Sequence, residues 1–328
     1  MTTKLIDIAK HLNISVSTVS RVLNGKDRVS DETRKKVLEA IEEFNYKPNE
    51  LARSLRKSNS MTIGIIVPDI SNEFFSLLSK GAEEVARQNG YLVILCNSDY
   101  DEENEKEYLN MLLQKQVEGL IIATVCKDRE YFEKILTGDI PSVFVDNLPK
   151  IRRNFNYVTI DNKKAAYDLT MHLINSGYTD IAMITGKLQE TSATERLDGF
   201  KKAMTENAIR IESNFIGVGD FRAETGYKIM KGMLDLKQKP RALLAANNNI
   251  AYGAIKAAKE KGMNIPEDLY TVCFDAIDNT GLLSIRLPSM IQPALKIGRI
   301  ASDIVIKRTD DKINDVYEHI ILEPDFIL

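Results

Sequence analysis

The sequence predicts an α/β protein in three parts: an N-terminal three-helix unit of helix-turn-helix type, a hinge helix, and two doubly wound α/β subdomains. Three observations carry this expectation. Two short apolar-periodic stretches, LIDIAKHL and VSTVSRVL, are separated by only Asn13, Ile14 and Ser15. From Met61 onward, short apolar runs alternate with amphipathic segments, as in parallel sheets covered by helices on both faces. The length, 328 residues, also exceeds what one hydrophobic core usually organises.

The head is expected over residues 1–46. Leu5, Ile8, Ala9 and Leu12 recur at helical spacing, as do Val37, Ala40, Ile41 and Phe44, and these stripes can close a small core with Val19 and Val22. Ser15 stands where the second helix needs an N-cap. Ser30, followed by Asp31 and Glu32, gives the third helix a cap and a first turn that favours the helix dipole. Asn24-Gly25 is a turn signal between them. In a helix-turn-helix unit the first residues of the second helix reach base edges. That role falls here to Ser15, Val16, Ser17, Thr18 and Arg21. Arg21 can donate two bonds to guanine, the hydroxyls can bond bases or phosphates, and Val16 can touch a thymine methyl. On the helix pattern alone, a three-helix bundle that binds protein is an equal alternative.

Charge separates the head from the rest. Residues 1–60 hold 12 Lys+Arg against 8 Asp+Glu, whereas the remainder is acidic enough to bring the whole chain to a net charge of −3. A basic head on an acidic body is the asymmetry expected when one small part meets phosphates. Residues 47–60 form the hinge and linker. Tyr46-Lys47-Pro48-Asn49 stops the third helix, and Glu50 to Lys57 suffices for only two helical turns, too short to persist alone in water. Ala52 and Leu55 share one face with Arg53 and Arg56 beside them, which suits an apolar wedge in a minor groove. An ordinary polar linker has the same spacing.

The body, residues 61–328, opens with the apolar run TIGIIV, followed by a helical stripe from Phe74 to Val85. It continues through YLVILCN, GLIIAT, SVFVD, VTID, DIAMIT, NFIGVG, ALLAA and YTVCFD to the strand-like IILEPDFIL. Ligands of open α/β sheets sit beyond the carboxyl ends of strands. Asp69, Asp146, Asn247, Asn248 and Asp275 occupy such ends, where paired acceptors and amides suit a polyhydroxyl ligand. Each taken singly is equally at home as a helix cap or turn residue.

The run IDIAKHLNISVSTVSRVLNGKDRVSDETRKKVLEAIEEFNYKPNELARSL resembles the head and hinge of the LacI/GalR family of bacterial transcription repressors. The blocks IGIIVPDISNEFF, VEGLII, VTIDN, ERLDGFKKAM, AANNNIAYGAIKAAKEKG and FDAID follow in the family's order, so the resemblance spans essentially the whole chain. It implies a periplasmic-binding-protein-like body with three crossovers near residues 161, 291 and 322. The N-subdomain would then cover about 61–160 and 292–321, and the C-subdomain about 161–291 and 322–328. It implies a homodimer on a pseudo-palindromic double-stranded operator, with Leu55 inserting at the central step and Asn24, Asn49, Ala52 and Arg53 joining the DNA contacts. For the effector it implies Arg196 as the central ligand group with Asp275 opposite, Phe74 and Phe221 as apolar walls, and Ser192 and Gln292 as further contacts.

The chain departs from the family where Asn248 replaces a common Asp, Cys273 replaces a Gly and Ala276 replaces an Asp. An amide at 248 removes a strong acceptor, so the effector is expected to differ from a standard free hexose.

The function expected is that of a cytoplasmic repressor of carbohydrate metabolism genes, controlled by a small ligand, a sugar or sugar phosphate. A regulator needing a nucleobase or a phosphorylated carrier protein is the alternative within regulation. A cytoplasmic sugar-binding protein is the alternative from another class. No enzyme activity is expected, because the sequence has no GxGxxG, Walker, GxSxG or HExxH motif, and His11, His172 and His319 are scattered. No cofactor or metal is expected either, since Cys96, Cys126 and Cys273 lack any paired spacing. The N-terminus lacks an apolar signal segment, so neither export nor membrane insertion is expected.

Overall fold

The computed structural model describes residues 5–23, 29–44, 60–135, 140–276, 286–310 and 316–328. It divides into two compact units, residues 1–60 and 61–328.

In the first unit, α1 (Leu5–His11), α2 (Val16–Leu23) and α3 (Asp31–Glu43) pack around Ile8, Ala9, Val19, Val22, Val37 and Ala40, as the stripes require. The four-residue turn from Leu12 to Ser15 between α1 and α2 works because Asn13 takes a left-handed φ of 51°, which Asn tolerates better than most residues. The Ser15 hydroxyl accepts the Thr18 N–H at 3.1 Å, and Ser30 accepts that of Thr33 at 3.4 Å, so both helix starts are capped.

The second unit contains two six-stranded sheets. The first has the order β11-β5-β4-β3-β1-β2 and is parallel throughout: β1 (Thr62–Val67), β2 (Leu92–Asn97), β3 (Gly119–Ile122), β4 (Ser142–Val145), β5 (Asn156–Ile160) and β11 (His319–Leu322). The strands are buried on both faces and therefore read as continuous apolar runs rather than alternating ones. Along β1, Ile63, Ile65 and Val67 meet α4 (Glu73–Gln88) and α11 (Ala294–Asp310), whereas Ile66 shares a core with Leu109 and Leu112 of α5 (Glu102–Gln114) and Phe132 of α6 (Arg129–Ile135). A Cβ on Gly298 of α11 would collide with the Leu78 carbonyl of α4, and one on Gly81 of α4 with the Leu295 carbonyl. Glycine at these two places lets the helices touch backbone to backbone.

The second sheet has the order β12-β10-β9-β8-β6-β7: β6 (Ile181–Thr185), β7 (Ile216–Val218), β8 (Ala242–Ala245), β9 (Tyr270–Phe274), β10 (Ser289–Ile291) and β12 (Asp325–Ile327). Only the β10–β12 pair is antiparallel among these described strands. Helices α7 (Asn162–Asn175), α8 (Thr191–Glu206), α9 (Ala223–Leu234) and α10 (Asn248–Glu260) cover it around one core that includes Leu169, Phe200, Met230, Ala254 and Phe274. The chain passes between the sheets after Ile160, after Ile291 and after Leu322. Leu322 itself pairs with Ile160 in the first sheet, so it belongs there and not to the C-subdomain expected from the sequence.

Candidate functional site

On the head, the start of α2 is a polar, outward-facing surface. Ser15, Val16, Ser17 and Arg21 are exposed and Thr18 is half-buried, while Val19 and Val22 on the opposite face fill the core. Ser15 also binds the hydroxyls of Ser17 at 2.7 Å and Thr18 at 2.8 Å, so one cap residue orients two of the groups expected to meet DNA. Asn24, Asn49, Ala52, Arg53 and Leu55 lie outside the described residues.

In the body, a cleft opens between the two sheets. Phe74, Asp146, Ser192, Arg196, Phe221, Asn247, Asp275 and Gln292 all line it, so eight of the ten residues singled out in the sequence come together. The strand ends deliver several of them. Asp146 follows β4, Asn247 follows β8, Asp275 follows β9 and Gln292 follows β10. Three lining residues, Asp146, Phe221 and Asp275, hold left-handed φ values of 60°, 64° and 58°, as does a fourth, Tyr100, at 56°. Non-glycine residues are uncommon in that region, and such outliers concentrate at functional sites. Gly186 makes room for the Phe221 ring, which a Cβ there would strike.

Arg196 is only 3% exposed. Its Nε donates to Asn162 Oδ1 at 2.8 Å, Nη1 donates to the Ala246 carbonyl, and the guanidinium lies 3.9 Å from the centre of the Phe274 ring. Its Nη2 has no partner. Burial pushes the guanidinium pKa down, while the charges of Asp146 and Asp275 oppose that shift. Asp275, 6% exposed, accepts the Gln292 N–H at 2.9 Å and its side-chain amide at 2.7 Å. Burial pushes Asp275 up, against Arg196 and the two Gln292 bonds. Asp146 is raised to about 6, again by burial against the pull of Arg196. The arrangement is a single desolvated cation with three carboxyls, those of Asp146, Asp275 and Glu190, able to grip hydroxyl groups between aromatic walls.

Asp69 and Asn248 lie outside this lining. Asp69 accepts the backbone N–H and the hydroxyl of Ser71 at 2.9 and 2.5 Å, as a turn residue does. Asn248, 5% exposed, accepts from the Asn72 side chain at 3.0 Å across the cleft. The amide at 248 therefore joins the subdomains. Asn247 lines the cleft, but it caps α10 through Ile250 and holds the Phe221 carbonyl at 2.9 Å.

The sequence reading missed Tyr100, Asn147 and Glu190, which also line the cleft. Glu190 stands at the N-cap position of α8 without capping it. The cap comes from Asn147 of the other subdomain, whose Oδ1 accepts the Ser192 N–H at 3.0 Å and hydroxyl at 2.8 Å. Beside it, Leu148 N–H donates to Thr191 Oγ1 at 2.9 Å. Further across the cleft, Arg222 binds the Asp99 carbonyl at 2.7 Å and carboxylate at 3.1 Å. Among the described residues, no group of three His, Cys, Asp or Glu could hold a metal ion.

A helix-turn-helix head and a two-sheet body with a polar, aromatic-walled cleft define a DNA-binding transcription regulator with a binding-protein-like domain. Residues 4–49 match the family described as bacterial regulatory proteins, lacI family, and residues 60–322 match the periplasmic binding proteins and sugar binding domain of the LacI family. The chain is 38% identical over 328 residues to the HTH-type transcriptional regulator RegA of Clostridium saccharobutylicum, covering 98% of each chain. It is 37% identical to the ribose operon repressor of Halalkalibacterium halodurans, covering 97% of this chain and 93% of the relative. The lac repressor dimer bound to operator and an anti-inducer superposes with a TM-score of 0.83 at 26% identity, covering 99% and 98% of the two chains. The chain belongs to the LacI family of transcription regulators, and it is a regulator rather than an enzyme.

Proposed function

We propose that the chain is a cytoplasmic, homodimeric repressor of carbohydrate metabolism genes, and that a sugar or sugar phosphate in the body cleft sets its affinity for a pseudo-palindromic operator. One observation carries the effector part. Arg196, Asp146, Asp275 and Gln292 converge with Phe74 and Phe221 on one cleft between the sheets. The ribose operon repressor and the operator-bound lac repressor dimer, as relatives, support the regulatory part. The ligand acts by favouring one closure state of the body and so shifting the equilibrium that the DNA senses. Coupling of this kind is typically ~1 to 3 kcal/mol, or roughly 5- to 150-fold in operator affinity.

The test is fluorescence anisotropy of the full chain on a duplex selected from a random pool, with and without a panel of sugars and their phosphate esters. At least one compound is expected to change the affinity. Arg196→Ala is expected to bind the duplex as before and to ignore that compound. An unchanged response in the variant removes the cleft from the mechanism.

A further inference from the structure

We infer that closing the body takes up a proton, held where the carboxyls of Asp146 and Glu190 approach from opposite subdomains, so that pH is a second input to the regulator beside its ligand. This rests on the closure part of the reading above and is independent of which compound the cleft takes.

The contact that joins the subdomains also brings these two acids together. Asn147 Oδ1 accepts the Ser192 N–H at 3.0 Å, and the Leu148 N–H donates to Thr191 Oγ1 at 2.9 Å. Asp146 stands next to Asn147 in one subdomain, Glu190 stands next to Thr191 in the other, and both line the cleft. Glu190 is 5% exposed, and its buried Oε2 has no hydrogen-bond partner. A carboxylate so placed loses its water, gains no donor at one oxygen and meets a second negative charge, a combination that favours the protonated form.

The other groups facing Glu190 do not offset this. Lys187, after β6, is committed to the Tyr100 carbonyl at 3.4 Å, and Lys127, in the segment after β3, is exposed, so water screens its charge. The Asn147 amide that bonds Glu190 is neutral. Tyr100, after β2, faces both acids and keeps its own proton, because burial pushes its phenol up. Arg196 acts on Asp146 and Asp275, and its Nε and Nη1 are bound to Asn162 and Ala246.

Burial first, and Asp146 second, raise Glu190 from 4.5 to about 8 in the closed body. Opening returns the carboxyl to water and to its ordinary value. The closed state therefore keeps a proton that the open state releases. The advantage this gives to closure is complete below pH 4.5, shrinks as pH rises and is gone above 8. Between pH 6 and 8.5 the closing equilibrium falls by up to about 100-fold.

The experiment is hydrogen exchange of the ligand-free full chain at pH 6 and 8.5, corrected for the intrinsic pH dependence of exchange. The Ser192 amide, bonded across the cleft, reports opening, and the Leu244 amide of β8 reports global unfolding. Ser192 should be less protected than Leu244 at both pH values, and in wild type its protection should fall by about tenfold or more between them. Glu190→Gln keeps the shape of the protonated acid and should fall by no more than about threefold. Asp146→Asn removes the facing charge alone and should show a smaller fall than wild type, which keeps the test decisive if one variant fails to fold. Duplex affinity, read by anisotropy, should shift with pH by at least about threefold more in wild type than in Glu190→Gln.

A wild-type fall no larger than those of the variants, in protection or in duplex affinity, overturns the inference and leaves the effector reading intact. Ser192 protected as fully as Leu244 at both pH values means a body that does not open, which overturns the closure reading and the inference with it.

Discussion

Replacing Glu190 by Gln removes one ionisation while keeping the side chain's shape, and its effect on stability follows from the burial already described. Burial first, and the charge of Asp146 second, raise the carboxyl from its ordinary 4.5 to about 8. Each pKa unit corresponds to about 1.4 kcal/mol, so the ceiling on the coupling is about 5 kcal/mol. Water entering the cleft on ionisation relaxes this, so an effect on the order of 2 kcal/mol is expected. The sign follows from which state holds the proton. Between pH 4.5 and 8 the folded chain keeps a proton that the unfolded chain releases. The stability tied to this group is therefore complete below pH 4.5, falls as pH rises toward 8, and is gone above it. Urea unfolding of ligand-free wild type and Glu190→Gln at pH 5.5 and 8.5 measures the difference. Glu105, raised to about 7 by burial, titrates in both proteins and cancels. Wild type should lose about 2 kcal/mol relative to the variant across this interval. Parallel losses would show that Glu190 is ionised and solvated in the folded protein, contrary to the burial of its carboxyl and of its unpartnered Oε2.

Three further outcomes test other parts of the molecule. Arg21→Ala should relax base preference at one half-site position and cost about 1 to 3 kcal/mol, read by anisotropy on single-base operator variants, whereas a phosphate contact alone would leave the base preference unchanged. Gly298→Ala forces a methyl against the Leu78 carbonyl and should destabilise the body by about 1 to 3 kcal/mol in urea unfolding, with the same change at exposed Gly232, where a Cβ meets nothing, costing no stability. Asn147→Ala removes the cap that α8 receives from across the cleft. It should cost about 0.5 to 2 kcal/mol of stability and speed hydrogen exchange at the Ser192 amide.

The head was legible because its information is local. Leu5, Ile8, Ala9 and Leu12 declare an apolar stripe, and Ser15 and Ser30 declare helix starts, within a few residues of where each acts. The alternation of strands and helices was legible for the same reason. The three sheet crossings were not, because nothing in the spacing of apolar residues tells which sheet a strand joins, and only family resemblance indicated them. At the cleft, Asp146, Asn247 and Asp275 could be proposed because strand ends in such sheets converge. Arg196 could not be reached that way, since a lone arginine on an amphipathic helix ordinarily faces water, and here it is buried through Asn162, Ala246 and Phe274. Glu190 reads as an unremarkable acid at a helix start, and Asn147 as the end of a strand. Their roles exist only once two segments 43 residues apart meet, as the bond between Leu148 and Thr191 records. Asp69 and Asn248 show the converse, because groups of suitable chemistry were already engaged by Ser71 and Asn72.

The cap that α8 receives from Asn147 ties the integrity of the helix carrying Arg196 to contact between the subdomains. Separating them leaves amide groups at the helix start without their protein partner, whether or not a ligand is present. The closed arrangement thus has an intrinsic advantage, joined by the Asn72–Asn248 and Asp99–Arg222 contacts, that no ligand atom supplies. Residues 99, 222 and 248, which bridge the subdomains from outside the cleft lining, can accordingly move the regulator's set-point, the share of time spent closed without a signal, with little effect on which molecule is the signal. Arg196, whose partners are Asn162 and Ala246, takes no part in these contacts. The bridging contacts of residues 99, 222 and 248 and the buried guanidinium of Arg196 are thus open to separate substitution.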